Sequence, residues 1–386
     1  MQECDAYLYN TENRLTQDGY DSCSTRLLPA ETVAVSSRAT VGDCIIFGRE
    51  ICTNQGFVNV VCNERMNNVF LLYWLRQNKR ELLRLAAGTT FNEIGRGAFK
   101  KLQVLRPIDP REQSAIAKSI GTVDVAIAAA LESIAKAERL QKGLMQQLLT
   151  GRIRPDGTPR KPDEFWVEPK LGLIPSGWIV KKGWQLADKI TKGQSPKWQG
   201  FDYTSSGMLF VTSENVRDGF LDLGEPKYLP IGFNEKIKGS ELRVGDVLIN
   251  LVGASIGRSC IYESGHHPAN VNQAVCVFRP KAGVVSKYLG YYLRLNATQN
   301  RLLSSQVETA RCNLSLGDVR KLKFIIPSDE QEQVEIVGRL SMFTQLIEAK
   351  QQKIFALQRL KKSLMQNLLT GRIRLPVGCG VERGGR

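Results

Sequence analysis

Three side chains in the middle of the sequence have the types and spacing of a metal-dependent nuclease: Asp156 after Pro155, then Glu168 and Lys170 on either side of Pro169. In that chemistry two carboxylates hold a magnesium ion and the lysine positions the attacking water. The carboxylates must then sit on paired strands. Pro159, Pro162 and Pro169 withhold ladder donors, so 155–175 is expected to be a proline-rich linker rather than a hairpin. The only histidines, His266 and His267, are adjacent in a Gly-His-His-Pro stretch and read as solvated loop residues, not metal ligands. No GxxxxGK[ST] loop, nucleophile elbow, Asn-Pro-Pro-aromatic or Asp-Pro-Pro-aromatic motif, or glycine-rich S-adenosylmethionine loop is present. The expectation is therefore no catalytic residue, no metal and no cofactor. A magnesium nuclease using Asp156, Glu168 and Lys170 is one alternative, and a coiled-coil scaffold that binds no DNA is another.

With chemistry absent, charge points to a binding role. The chain has 386 residues, with 53 Lys plus Arg against 38 Asp plus Glu, a net charge of +15 and a pI near 9.4. Such an excess suits a polyanion, nucleic acid before membrane. The longest plain apolar run, Val69 to Leu75, is far short of a span of about 20 residues, so no membrane partner is expected. Nine cysteines without a CxxC pair and a polar stretch from Met1 to Arg14 point to reduced thiols in the cytoplasm.

The elements that would present such a surface are duplicated. Leu144 to Arg154 returns as Leu364 to Arg374 with ten of eleven positions identical, an offset of 220. The offset holds upstream for Lys101-Leu102 with Lys321-Leu322, Pro107 with Pro327, and Glu112-Gln113 with Glu332-Gln333. It loosens for Asn54-Gln55 with Asn272-Gln273 and for Ala39 to Gly42 with Ala254 to Gly257. Each copy ends in a heptad seam, Ile116, Ile120, Val123, Ile127 through Leu148, and Ile336, Leu340, Phe343, Ile347 through Leu368. These predict two rods of about 48 Å at 1.5 Å per residue. The polar members Gln141, Lys350 and Lys361 interrupt the seams. A lysine at such a position weakens a coil and fixes its register, or else lies on a solvated flank or contacts a partner.

Between the rods, β-branched residues and turn glycines predict mixed α/β globules. The expected organisation is a first globule over 1–109, a helix over 110–154, a linker over 155–175, a second globule over 176–329, a helix over 330–374 and a tail over 375–386. The second globule carries 20 basic and 13 acidic side chains, whereas residues 1–110 carry 13 and 12.

Two unlike globules, two like helices each introduced by Pro and Glu-Gln and closed by Leu-Met-Gln-x-Leu-Leu-Thr-Gly-Arg-Ile-Arg, and the segments Ile174 to Trp178, Gly245 to Ile249 and Gly253 to Gly257 together closely resemble the specificity subunit of type I restriction–modification systems. The resemblance covers nearly the whole chain. It implies a fold of two target-recognition domains separated by two long helices that form an antiparallel coiled coil. It implies a subunit without chemistry of its own that reads a bipartite double-stranded DNA sequence. It also implies two methyltransferase subunits docked on the helices, with restriction subunits joining through the complex. A 48 Å rod spans about 14 base pairs at 3.4 Å each. The first globule departs from the pattern, lacking a counterpart to roughly the first 50 residues of the second, Trp178 and the Lys189 to Pro196 loop included.

Phosphate contacts should come from Lys and Arg, and base reading from short polar chains that reach groove edges. In the second globule the candidates are Lys192, Gln194, Ser195, Lys197, Ser213, Asn215, Arg217, Ser255, Arg258, Asn270, Asn272, Gln273 and Arg311. In the first they are Arg38, Thr40, Asn54, Gln55, Thr89 and Thr90. The Gly253 to Gly257 stretch and the Asn-Gln pair recur in both copies, although specificity should differ. A turn-forming or phosphate-contacting role is favoured there.

Overall fold

The computed structural model describes residues 6–86, 93–309 and 313–376, and in 305–309 only the backbone. The chain forms two compact units, one of residues 1–136 with 348–386 and the other of residues 137–347. These units do not follow the sequence order of globule, helix, linker, globule, helix, because each contains part of both long helices, Pro110–Leu149 and Glu330–Leu368.

In the first unit, strands β1 (Tyr7–Leu8), β2 (Val33–Ser36), β3 (Cys44–Phe47) and β4 (Phe57–Val60) form one sheet in the order β1-β3-β2-β4. β2 is antiparallel to β3 and β4, and β1 runs parallel to β3. Every residue of β2 and β3 is buried, as continuous apolar runs in the middle of a sheet must be. Helix Asn68–Gln77 is capped by the Asn67 side chain, which accepts from Phe70 N at 2.9 Å. It buries Phe70 to Leu75 in a core shared with Val33, Ile46, Ile116, Ile120 and, from the second long helix, Met365 and Leu368. Full burial of each such side chain is worth about 1.5–3 kcal/mol.

In the second unit, β5 (Phe165–Glu168) and β6 (Gly172–Pro175) form a hairpin, and β7 (Trp178–Lys182) pairs with the later β15 (Lys323–Pro327). β8 (Ala187–Lys192) joins β11 (Val247–Asn250), β12 (Ser259–Ile261) and β14 (Val275–Pro280) in the order β12-β11-β14-β8. β9 (Met208–Val211), β10 (Lys227–Leu229) and β13 (Ala269–Val271) make a third sheet. The hairpin corrects the expectation of an unpaired linker. Pro169 lies in its turn and Pro175 at its end, so neither removes an interior ladder bond, and Ile174 is fully buried in the unit's core.

The duplication is visible in the topology. β3-β2-β4 and β12-β11-β14 have the same order and sense. The units differ at the edges: β8 lies outside β14, whereas among the described residues no strand lies outside β4.

The long helices run over Pro110–Leu149 and Glu330–Leu368, each ending before its Thr-Gly-Arg-Ile-Arg segment, and in both units they pair. In the first unit Glu112 meets Arg374, and Asp124 meets Lys361. One number falls as the other rises, so the segments are antiparallel. In the second unit Gln141 donates to Leu340 O and Thr344 Oγ1, and Met145 and Leu148 share a core with Ile336 and Leu340. Among the described residues Pro110–Leu149 is the one helix long and apolar enough, by length and composition, to cross a membrane. Its seam residues Ile116, Ile120, Val123 and Ile127 are buried against the protein itself.

Candidate nucleic-acid interface

The Glu-Gln signature at the head of each long helix has a structural role. Gln113 accepts from Asn67 N at 2.8 Å and donates to Arg65 O and Pro107 O at 3.0 and 2.8 Å. Gln333 accepts from Val285 N at 3.0 Å and donates to Gly283 O and Pro327 O at 3.2 and 3.1 Å. Each buried amide thus fixes its helix to the two backbone segments that flank the globule. The preceding Glu112 takes both arms of Arg374, while Glu332 takes Arg160 and the Trp178 indole at 3.2 Å.

From these anchors the strands carry two turns in each unit, built alike. After β2, Gly42 N bonds Ser36 O at 2.9 Å; after β11, Gly257 N bonds Asn250 O at 2.9 Å. Both glycines have left-handed φ, 84° and 80°, as do Ala39 and Gly253 earlier in each turn, 54° and 76°. Thr40 Oγ1 donates to Ser36 Oγ at 3.2 Å, and Asn250 Nδ2 donates to Ser255 Oγ at 3.1 Å. The neighbouring turn is an Asx turn in both units: Gly56 N donates to Asn54 Oδ1 at 2.9 Å, and Ala274 N to Asn272 Oδ1 at 3.1 Å. The two turns are tied by Ser37 N to Gly56 O and Leu251 N to Ala274 O, both 2.8 Å.

In the first unit this construction brings the candidates together. Arg38, Thr40, Asn54 and Gln55 line a cavity of about 310 Å³, and Arg38 also holds Glu93 at 2.9 Å. Thr89 and Thr90 lie outside the described residues.

In the second unit the candidates divide. Lys192, Gln194, Lys197, Arg258 and Gln273 are exposed, Ser195, Ser213, Ser255 and Asn272 half-buried. The Gln194 loop lies near Asn272 because Gly193 packs directly on the Val271 and Asn272 carbonyls, where any side chain would collide. Arg217 is exposed but paired with Asp222 at 3.2 Å. Among the described residues Lys192, Lys197 and Arg258 make no ion pair, which leaves their charge available.

Two candidates are corrected. Asn270 is fully buried, donating to Asn234 Oδ1 and Ile237 O, both at 2.9 Å, and accepting from Ser240 Oγ at 2.7 Å. Asn215 is buried too, accepting from Thr212 N at 2.9 Å and donating to Asp222 O at 3.0 Å. Both amides hold loops and cannot reach a groove. Arg311 lies outside the described residues.

The nuclease trio does not assemble. Asp156 accepts from Thr158 N and Oγ1 at 2.8 and 2.7 Å, and Glu168 pairs with Lys323 at 2.8 Å. These partners hold both carboxylates below their ordinary range. Lys170 is exposed in the hairpin turn. No group of three His, Cys, Asp or Glu able to hold a metal occurs among the described residues.

Sequence reasoning missed Trp198, 85% exposed between Lys197 and Gln199 on the loop after β8. It also missed Lys236, whose ammonium donates to Gln199 O at 3.1 Å and braces that loop. Nothing in the sequence separates an exposed tryptophan from a core one.

The chain matches the family model described as type I restriction modification DNA specificity domain at residues 5–139 and again at 175–359. It is 26% identical over 318 residues to the type I restriction enzyme MjaVIII specificity subunit of Methanocaldococcus jannaschii, covering 81% of this chain and 72% of the relative. It is 23% identical over 385 residues to the MjaIX specificity subunit of the same organism, covering 96% and 84%. Among solved structures, the type I restriction-modification S subunit from M. genitalium superposes with a TM-score of 0.59 at 14% identity, covering 94% of this chain and 88% of that one. Two family matches on two units that share one sheet order, one pair of turns and one helix anchor have a single explanation: this chain belongs to the type I restriction–modification DNA specificity subunits and carries two recognition domains of that family.

Proposed function

We propose that this chain is the non-catalytic sequence reader of a type I restriction–modification complex. Each unit takes one half of a bipartite double-stranded target. The long helices set the gap and dock two methyltransferase subunits, restriction subunits join through that complex, and the assembly works in the cytoplasm without a membrane partner. The observation that carries this reading is the twofold occurrence of one scaffold whose outer loops differ. Two copies of a recognition frame with unlike surfaces suit an asymmetric, two-part DNA sequence.

In the second unit, Lys192, Lys197 and Arg258 supply phosphate contacts, and Gln194 and Ser195, with Trp198 on the same loop, and Arg217 reach toward bases. In the first unit, Arg38, Thr40, Asn54 and Gln55 form the surface that meets DNA.

The test is co-expression with the methyltransferase subunit of the same system. A complex that binds duplex DNA with affinity falling steeply as salt rises is expected. Failure to co-purify, or retention of no duplex at low salt, would sink the proposal. Cleavage of DNA by the isolated chain in magnesium would instead point to chemistry in the chain itself.

A further inference from the structure

The paired turns carry the same two residues, Asn54-Gln55 in one unit and Asn272-Gln273 in the other, and the two residues have different reasons to be there. The asparagines are accounted for inside the molecule, each closing its Asx turn onto the backbone two residues on. The glutamines are not. Gln55 and Gln273 are both exposed, and neither makes a side-chain hydrogen bond among the described residues. The same unused amide thus stands at the same point of two Asx turns, each tied by a backbone bond to a neighbouring turn of left-handed residues that bears Thr40 or Ser255. The surroundings diverge: Arg258 follows Gly257 in one unit, and Asp43 follows Gly42 in the other.

A surface that reads sequence must differ between units that read different half-sites. A surface kept alike serves something both half-sites share, and in duplex DNA that is the sugar-phosphate backbone. Resting on the proposed DNA-binding role, we propose that Gln55 and Gln273 each donate to a backbone phosphate, fixing the unit's register on the duplex without reading a base. Neutral amide donors are common phosphate ligands. In the first unit the patch also lacks the exposed large apolar side chains that a protein-docking surface would offer. In the second unit the neighbouring Arg258 adds charge to the contact.

The experiment uses the full chain co-purified with its methyltransferase subunit. The probes are a random-sequence 40-base-pair duplex pool and a target selected from that pool. Gln55→Ala and Gln273→Ala should each weaken binding to pool and target by the same factor, about fivefold, with the selected sequence unchanged and the salt slope unaltered. Arg258→Gln should also lower the slope by about one. Because neither glutamine supports the fold, loss of folding is not expected, and a thermal melt checks it. Loss on the target alone would mean base reading, and impaired assembly with the methyltransferase would mean docking; either overturns the proposal, as does no effect. Wild-type complex that retains neither probe would be a failure of the DNA-binding role itself.

Discussion

Lys361 Nζ lies 2.7 Å from Asp124 Oδ1 across the seam of the two long helices, with Tyr73 OH donating to the other carboxylate oxygen at 2.8 Å. The lysine ammonium and the tyrosine hydroxyl thus take one oxygen each of a buried carboxylate. The second unit has the uncharged counterpart at the repeat-equivalent positions: Gln141 donates to Thr344 Oγ1 at 2.9 Å, with Tyr291 OH 3.3 Å away. Lys361→Ala should destabilise the first unit by about 3–5 kcal/mol, because Asp124 would stay buried and unpaired. Lys361→Gln combined with Asp124→Thr, which copies the other unit, should restore most of it. Urea denaturation of the three proteins measures the difference.

Gln333 satisfies three backbone groups at once. Gln333→Ala orphans one donor and two acceptors in a buried place and should cost about 2–3 kcal/mol, whereas Gln331→Ala on the exposed face should cost under about 0.5 kcal/mol. Thermal melts of the two variants check this.

Arg374 holds the Glu112 carboxylate below its ordinary value of 4.5. The folded state therefore binds the proton less readily than the unfolded one. The pair's stabilisation is present above pH 4.5 and is lost as pH falls through the depressed folded value. Glu112→Gln should remove that part of the acid limb and lower stability at pH 7. Arg374 is largely exposed, so the effect should be modest and weaker in high salt. Denaturation midpoints between pH 3 and pH 7 read it directly.

Burial pushes the thiols of Cys260 and Cys276 up to about 12, and raises that of Cys44. All six cysteines among the described residues are free, and Cys23 is exposed. At neutral pH iodoacetamide should label Cys23 within minutes and reach Cys260 and Cys276 only after unfolding. Peptide mapping of native and denatured protein distinguishes the outcomes.

The long helices and the duplication were legible because apolar periodicity and near-identical motifs are local signals. Ile116 and Ile336 are buried where the seams required. The candidate surface was only partly legible. Asn270 and Gln273 are three residues apart and equally polar, yet one is enclosed by Ser240 and Asn234 and the other is open, a difference set by contacts 30 or more residues away. The hairpin at 165–175 was missed for a related reason: proline rules apply to ladder positions, and the register that places Pro169 in the turn is not written in the proline count. The Asn-Gln repeat points to a turn or a phosphate contact; the Asx turns account for Asn54 and Asn272 and leave Gln55 and Gln273 exposed.

β4 ends its sheet without a neighbouring strand among the described residues, whereas the corresponding β14 is covered by β8. Its residues are half-buried, and Val61 just beyond is 60% exposed. A bare strand edge is a template that any extended chain can join through main-chain bonds, whatever its sequence. In the second unit the sheet runs one strand further and its edge passes from β14 to β8. Main-chain pairing at high protein concentration would therefore engage different parts of the repeat, β4 in one unit and β8, which has no counterpart in the first, in the other.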